Sequence, residues 1–229
     1  MHKEHPRRAQ RVGGLGMARS RLELQGNRNT VTRQLKILAV CTGNICRSPM
    51  VERLLQKDLD ALFPSTFTVT SAGTRAIVGA PIDPLVHQFI QEAGGQTSNF
   101  SARQITASMI DDQDIILALT RDHRNTIVKL SPKALRRTFT LREACVLVAN
   151  DLVPRESPPT DNDAHQLWAS FPSRAGRLRV APSERHNPDV IDPYGKHQEI
   201  YNQMKAEILP SVATLVNWTK GADYPRHAD

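Results

Sequence analysis

Four apolar runs of strand length alternate along this chain with segments of helical spacing, and that alternation constrains the fold more than any other feature. The runs are "KILAVC" at 36–41, "FTVTSA" at 67–72, "DIILAL" at 114–119 and the weaker "RTFTL" at 137–141. A first helix follows from Val51, Leu54, Leu55, Leu59 and Leu62 on one face, with Ser48 as its N-cap and Pro49 at the first helical position. Leu85, Phe89 and Ile90 mark a second helix and "RDHRNTIVKL" at 121–130 a third. Tyr201, Met204, Ile208, Val212 and Leu215 mark a last one, kinked at Pro210. Successive strands separated by helices pair in parallel, because a parallel connection needs a crossover long enough to hold a helix. The expected fold is α/β, a single-domain, doubly wound, parallel four-stranded sheet with helices on both faces. Ligands of such sheets bind beyond the carboxyl ends of the strands.

The remaining sequence sets the boundaries. The 229 residues are 39% hydrophobic, enough for one sizeable core. Residues 1–34 form a basic tail expected to be disordered, in which eight Lys and Arg face Glu4 and Glu23. That tail holds six of the seven net positive charges, so the body has almost no field to offer a polyanion and nucleic acid is not an expected partner. The body spans 35–219 with an extended connection at 151–187, and 220–229 forms a C-terminal tail. No apolar run is long enough to span a membrane, the N-terminus lacks the apolar core of a secretory signal, and three cysteines cannot build a secreted disulfide framework. A cytoplasmic location is expected.

The stretch "CTGNICRSP" at 41–49 joins the first strand to the first helix. A loop there turns successive amides inward toward the positive end of the helix, a geometry that holds an oxyanion. Gly43 lets the backbone approach closely, and Asn44 is one of the few non-glycine residues that accepts a positive φ. Arg47 supplies a planar fork for two phosphate oxygens. Cys41 lies beneath the anion as a nucleophile, with Ser48 able to hydrogen-bond its sulfur. Cys46, in the same tight loop, either forms a reversible disulfide with Cys41 or is a small loop residue. Cys145 reads as a core residue of the helix after the fourth strand.

"VCTGNICRSP", with "SAGT" at 71–74, "ARQIT" at 102–106, "DIILALTRDHR" at 114–124 and "DPYG" at 192–195 in the same order, resembles the low-molecular-weight protein tyrosine phosphatases of bacterial type. The resemblance implies Cys41 as nucleophile, Arg47 as phosphate clamp and Asp192 as general acid and base. Asn44 and Ser48 would hold the loop, with Ser71 hydrogen-bonded to the asparagine. Thr42, Gly43, Ile45 and Cys46 would shape the phosphate pocket and its mouth, and Tyr194 would flank a phosphotyrosine ring. It implies no cofactor and no metal, and as partners phosphotyrosine proteins such as a tyrosine kinase of polysaccharide export. Asp189 is the nearest rival acid but lacks the following Pro-Tyr.

Three departures accompany the resemblance. Phe100 stands in "NFSARQ" where the family often has a histidine, so a histidine contribution to the loop is expected to be missing. One aromatic, not two, follows Asp192. The connection at 151–187 is longer than usual; within it "DNDAH" at 161–165 reads as a solvated loop, and "AHQLWASF" as an accessory helix that docks Leu167, Trp168 and Phe171 or acts as a lid or partner surface. Two other functions stay open. A thioredoxin-linked arsenate reductase needs further closely spaced cysteines, where only Cys145 remains, and a silent phosphopeptide-binding module is disfavoured by intact Cys41, Arg47 and Asp192.

Overall fold

The computed structural model describes residues 1–2, 33–151, 157–178 and 187–221. The expectations for residues 3–32 of the basic tail, for 152–156 and 179–186, and for the residues after 221 lie outside the described residues. All four expected strands form: β1 (Leu35–Cys41), β2 (Phe67–Gly73), β3 (Ile115–Ala118) and β4 (Thr138–Thr140). They pair in parallel in the order β2-β1-β3-β4, with β1 in register from Leu35 opposite Phe67 to Cys41 opposite Gly73. The order reverses at β1, so the loop leaving its carboxyl end sits at the topological switch point.

Both faces of the sheet are covered, which explains why β1 reads as an unbroken apolar run from Ile37 to Cys41. Ile37, Ala39 and Cys41 belong to the core under α1 (Arg47–Leu62), α2 (Pro84–Glu92), α5 (Leu141–Asn150), α6 (Asp161–Leu178) and α7 (Gln198–Lys220). Leu38 and Val40 point to the opposite core, formed with Ile110 of α3 (Ala107–Asp111), Ile127 of α4 (Arg121–Leu130) and Ala134 of a short 3-10 helix (Pro132–Arg137). Each such aliphatic side chain, fully withdrawn from water, contributes about 1.5–3 kcal/mol. α7 continues through Pro210 and ends at Gly221, whose φ of 72° is the left-handed turn glycine accepts without strain.

Three local expectations are corrected. α1 begins at Arg47 with Cys46 in the cap position and no side-chain cap, because the Ser48 hydroxyl is turned toward Cys41 and Asn44. Leu62 is exposed; the helix ends there, and Phe63 enters the core instead, edge-on to Phe67 with ring centres 6.3 Å apart. "DNDAH" is the first turn of α6, where Thr160 and Asp163 exchange hydrogen bonds of 2.7–3.2 Å as a cap that satisfies the opening amides.

α6 is a packed element and not a lid. Trp168, 1% exposed, meets Phe67 at 5.9 Å and Trp218 at 5.3 Å, and its indole N–H donates to Thr219 Oγ1 at 2.9 Å. Phe171 packs on Phe139 at 5.0 Å and Trp218 at 5.3 Å. Phe67 opens β2, so this aromatic cluster closes the amino end of the sheet, opposite the loop after β1. Arg174 of α6 reaches Asp151 at 3.0 and 3.1 Å and fixes the helix to the end of α5.

Candidate active site

The loop from Thr42 to Cys46 is shaped by its carbonyls. Thr74, Arg75 and Ile77 donate their amides to the oxygens of Cys41, Thr42 and Gly43 at 2.9–3.0 Å, and Asp83 donates to that of Ile45 at 2.9 Å. With these oxygens held outward, the amides of Gly43 and Cys46 face the other way across their planar peptides, and like that of Ile45 they meet no protein acceptor among the described residues. Such a nest of free N–H groups at a helix start binds an oxyanion. The amide of Asn44 is aimed at Cys41 Sγ at 3.3 Å, and Ser48 Oγ lies 3.0 Å from the same sulfur. The Asn44 amide and the Ser48 hydroxyl thus converge on a buried sulfur.

Asn44 holds the turn. Its φ is 56°, it is fully buried, and every side-chain polar atom is used. Nδ2 donates to Ser48 Oγ at 3.0 Å and Ser71 Oγ at 2.8 Å, while Oδ1 accepts from the Arg103 amide at 2.9 Å. Ser71 in turn donates to Glu52, whose carboxyl burial pushes above the usual carboxylate range. The glycine that sterics demand is Gly73 and not Gly43. A Cβ on Gly43 would meet only Ile45 and Ile77 at ordinary contact, whereas one on Gly73 would run into the Thr42 carbonyl.

Arg47, 4% exposed, reaches across the loop. One nitrogen meets Asp192 at 2.6 Å and lies 3.4 Å from Thr42 Oγ1, another donates to the Val190 carbonyl at 3.3 Å, and the buried Nε has no partner. Asp192 accepts the Tyr194 amide at 3.2 Å, so its carboxylate faces the loop from a tight turn. The cavity between them, about 210 Å³, is lined by the loop, Asp192, Arg75, Ile77 and Tyr194.

A sequence model described as "Low molecular weight phosphotyrosine protein phosphatase" matches residues 36–150. A putative low molecular weight protein-tyrosine-phosphatase of Klebsiella pneumoniae is 32% identical over 134 residues, covering 58% of this chain and 85% of the relative. The chain belongs to this family. The low molecular weight protein-tyrosine-phosphatase Wzb of Salmonella typhi is 38% identical over 98 residues, which is 43% of this chain and 62% of that relative's own length. Among solved structures, the tyrosine phosphatase AmsI of Erwinia amylovora superposes with a TM-score of 0.56 at 24% identity, covering 82% of this chain and 95% of AmsI, and shares the fold.

Set against that family, the expected residues fall in one place. Cys41, Thr42, Gly43, Ile45, Cys46, Arg47, Asp192 and Tyr194 line a single cavity, and Asn44, Ser48 and Ser71 form the hydrogen-bonded support beneath it. Asp189 is turned away, paired with Arg121 at 3.0 Å and accepting that residue's amide at 2.7 Å. Phe100 carries the Arg53 guanidinium over its ring at 5.5 Å. Cys46 is a free, buried thiol that desolvation and the neighbouring Asp83 carboxylate push well above the usual thiol range. Cys145 packs against the core with its thiol 3.4 Å from the Ser211 carbonyl.

The sequence missed a histidine. His123, 6% exposed in the first turn of α4, places Nε2 2.9 Å from Thr42 Oγ1 and Nδ1 2.9 Å from Thr120 Oγ1. Burial, reinforced by Arg47, lowers its pKa to about 4. The signal was present, since "TRDHR" follows the third strand at the carboxyl end of the sheet, where sites gather. No helix among the described residues is long and apolar enough to cross a membrane.

Proposed function

We propose that the chain is a protein tyrosine phosphatase that works through a phosphocysteine on Cys41. The observation that carries this reading is the convergence of the Asn44 amide and Ser48 hydroxyl on Cys41 Sγ, beneath a nest of free amides capped by Arg47 and faced by Asp192. A phosphate dianion seated on the nest takes the Arg47 guanidinium and its unpartnered Nε, displacing the Asp192 carboxylate toward the leaving oxygen. The Cys41 thiol gives up its proton to the displaced Asp192 carboxylate, the resulting thiolate attacks phosphorus as the P–O bond to the phenol breaks, and Asp192 passes that proton to the departing phenolate. Water then attacks the phosphocysteine, Asp192 accepts its proton, and the S–P bond breaks to return the thiolate and release phosphate. Arg47 and the loop amides stabilise the equatorial oxygens as charge develops.

Aromatic substrates fit the mouth. Ile45 lines the cavity, while Ile77 and Tyr194 are 42% and 60% exposed at its rim, two apolar surfaces between which a flat ring packs. Substrates are accordingly phosphotyrosine proteins, among which a tyrosine kinase of polysaccharide export is a candidate. The reading is tested by hydrolysis of an aryl phosphate at mildly acidic pH, comparing the full chain with Cys41→Ser. Turnover abolished by that substitution in a folded protein is the expected result. Absence of turnover in the wild-type chain overturns it.

A further inference from the structure

We infer that His123 is a positioning residue for this reaction: a neutral imidazole that holds Thr42, and through Thr42 the Arg47 guanidinium, in the geometry that binds phosphate. The inference rests on the phosphatase reading and adds to it a residue outside the loop. Thr120 Oγ1 accepts the amide of His123 at 3.2 Å as the N-cap of α4, so its own proton is free for Nδ1 at 2.9 Å. With Nδ1 an acceptor, the ring proton sits on Nε2 and is donated to Thr42 Oγ1, also at 2.9 Å. Thr42 Oγ1 lies 3.4 Å from an Arg47 nitrogen as well, and with two donors on its oxygen its hydroxyl proton has only the anion cavity left to face. The chain Thr120, His123, Thr42 therefore ends in one more donor for the phosphate, and it meets the guanidinium at a different nitrogen from the one that donates to Val190.

A second proton on His123 would undo this. Nδ1 would become a donor toward a hydroxyl already committed to donating, and a second buried cation would stand beside Arg47. The charged groups facing the ring are Arg47 from α1, Asp122 from α4 itself, and Asp189 and Asp192 from the acid loop. Burial and Arg47 outweigh the three carboxylates, and the ring stays neutral through the pH range in which the enzyme would work.

The test uses the full chain with an aryl phosphate as substrate and inorganic phosphate as competitor. His123→Phe keeps the ring volume and removes the donor; His123→Gln carries an amide N–H near the position of Nε2. The phenylalanine variant is expected to raise KM and the phosphate Ki about tenfold, the loss of one hydrogen bond to a charged group, with a smaller change in kcat. The glutamine variant is expected to stay within about threefold of wild type. Thr42→Val should reproduce the His123→Phe loss, and the double variant should lose no more than either single one, since both cut the same chain. As pH falls from 6 to 4, wild type should lose phosphate affinity relative to His123→Gln, a ratio in which the ionisation of phosphate cancels. If His123→Phe binds phosphate like wild type, or if its effect adds fully to that of Thr42→Val, the role of His123 is refuted while the phosphatase reading stands. If His123→Phe does not fold, Thr42→Val and the pH ratio with His123→Gln decide in its place. Wild type that neither turns over nor binds phosphate refutes the parent reading, and this inference with it.

Discussion

Two substitutions at Asn44 separate what its side chain contributes from what its backbone demands. Asn44→Gly removes three hydrogen bonds, to Ser48, Ser71 and the Arg103 amide, and leaves the backbone free to hold a φ of 56°. The two hydroxyl pairs are worth about 1 kcal/mol each, and an Arg103 amide left without its acceptor costs about 1 more, so the loss is roughly 3 kcal/mol. Asn44→Ala loses the same bonds and must also carry a Cβ in the left-handed region, at about 1.5 kcal/mol. Glycine offsets roughly 0.7 kcal/mol of that difference through its larger unfolded-state entropy. The alanine variant is therefore expected about 1 kcal/mol below the glycine variant, the reverse of the order found in helices and strands. Urea unfolding at pH 7, read as shifts in midpoint at constant m, measures both values. An alanine variant as stable as the glycine variant, or a loss under about 1 kcal/mol for both, would refute the reasoning that this asparagine locks the loop.

Three further outcomes follow from other parts of the molecule. His123 binds its proton with a pKa of about 4 in the folded protein against about 6.5 unfolded, so between those values the unfolded state holds more protons. Stability is full above pH 6.5 and is lost as pH falls toward 4, by about 2 kcal/mol at pH 5; urea midpoints of His123→Gln should fall less steeply over that window, and equal slopes would contradict the burial of a neutral ring. Trp168→Ala, which empties the aromatic cluster and orphans Thr219 of its indole partner, is expected to cost about 3–5 kcal/mol in urea unfolding while leaving aryl phosphate kinetics unchanged below the new midpoint. Asp192→Asn is expected to lower kcat at least a hundredfold and to tighten inorganic phosphate binding, because the carboxylate that rests on Arg47 at 2.6 Å no longer competes for it; weaker phosphate binding in that variant would contradict the exchange of partners.

The sheet was legible because each strand carries its own signal, and the anion loop because one contiguous stretch holds the sulfur, the positive-φ residue and the guanidinium. What escaped depends on distant partners. Ser48 has the local chemistry of a cap, yet the sulfur of Cys41 and the amide of Asn44 claim its hydroxyl, and no periodicity reveals that competition. "DNDAH" has the composition of a loop, but an Asp three residues after Thr160 caps a helix once Trp168 and Phe171 give that helix a core to lie on. His123 looked like one scattered histidine among eight until the fold laid α4 against the loop, 81 residues away in sequence. Gly73 was invisible as a requirement, since its need is set by the Thr42 carbonyl on the neighbouring strand's loop.

The long connection before Asp192 poses a physical question of its own for the proposed mechanism: a flexible approach would leave the proposed acid badly placed, and a misplacement of about 1 Å is enough to slow catalysis a hundredfold. The structure answers it locally. Asp189 is clamped by the amide and guanidinium of Arg121 at 2.7–3.2 Å, Val190 donates to the Leu119 carbonyl at 2.8 Å and accepts from Arg47, and the Ile191 amide donates to Glu207 of α7 at 3.0 Å. Three successive residues are thus tied to α4, the end of β3, α1 and α7 immediately before the acid. None of these ties involves α6. Whatever the connection does upstream, the position of Asp192 is re-established at Asp189, so the added length stabilises the amino end of the sheet without governing the geometry at its carboxyl end.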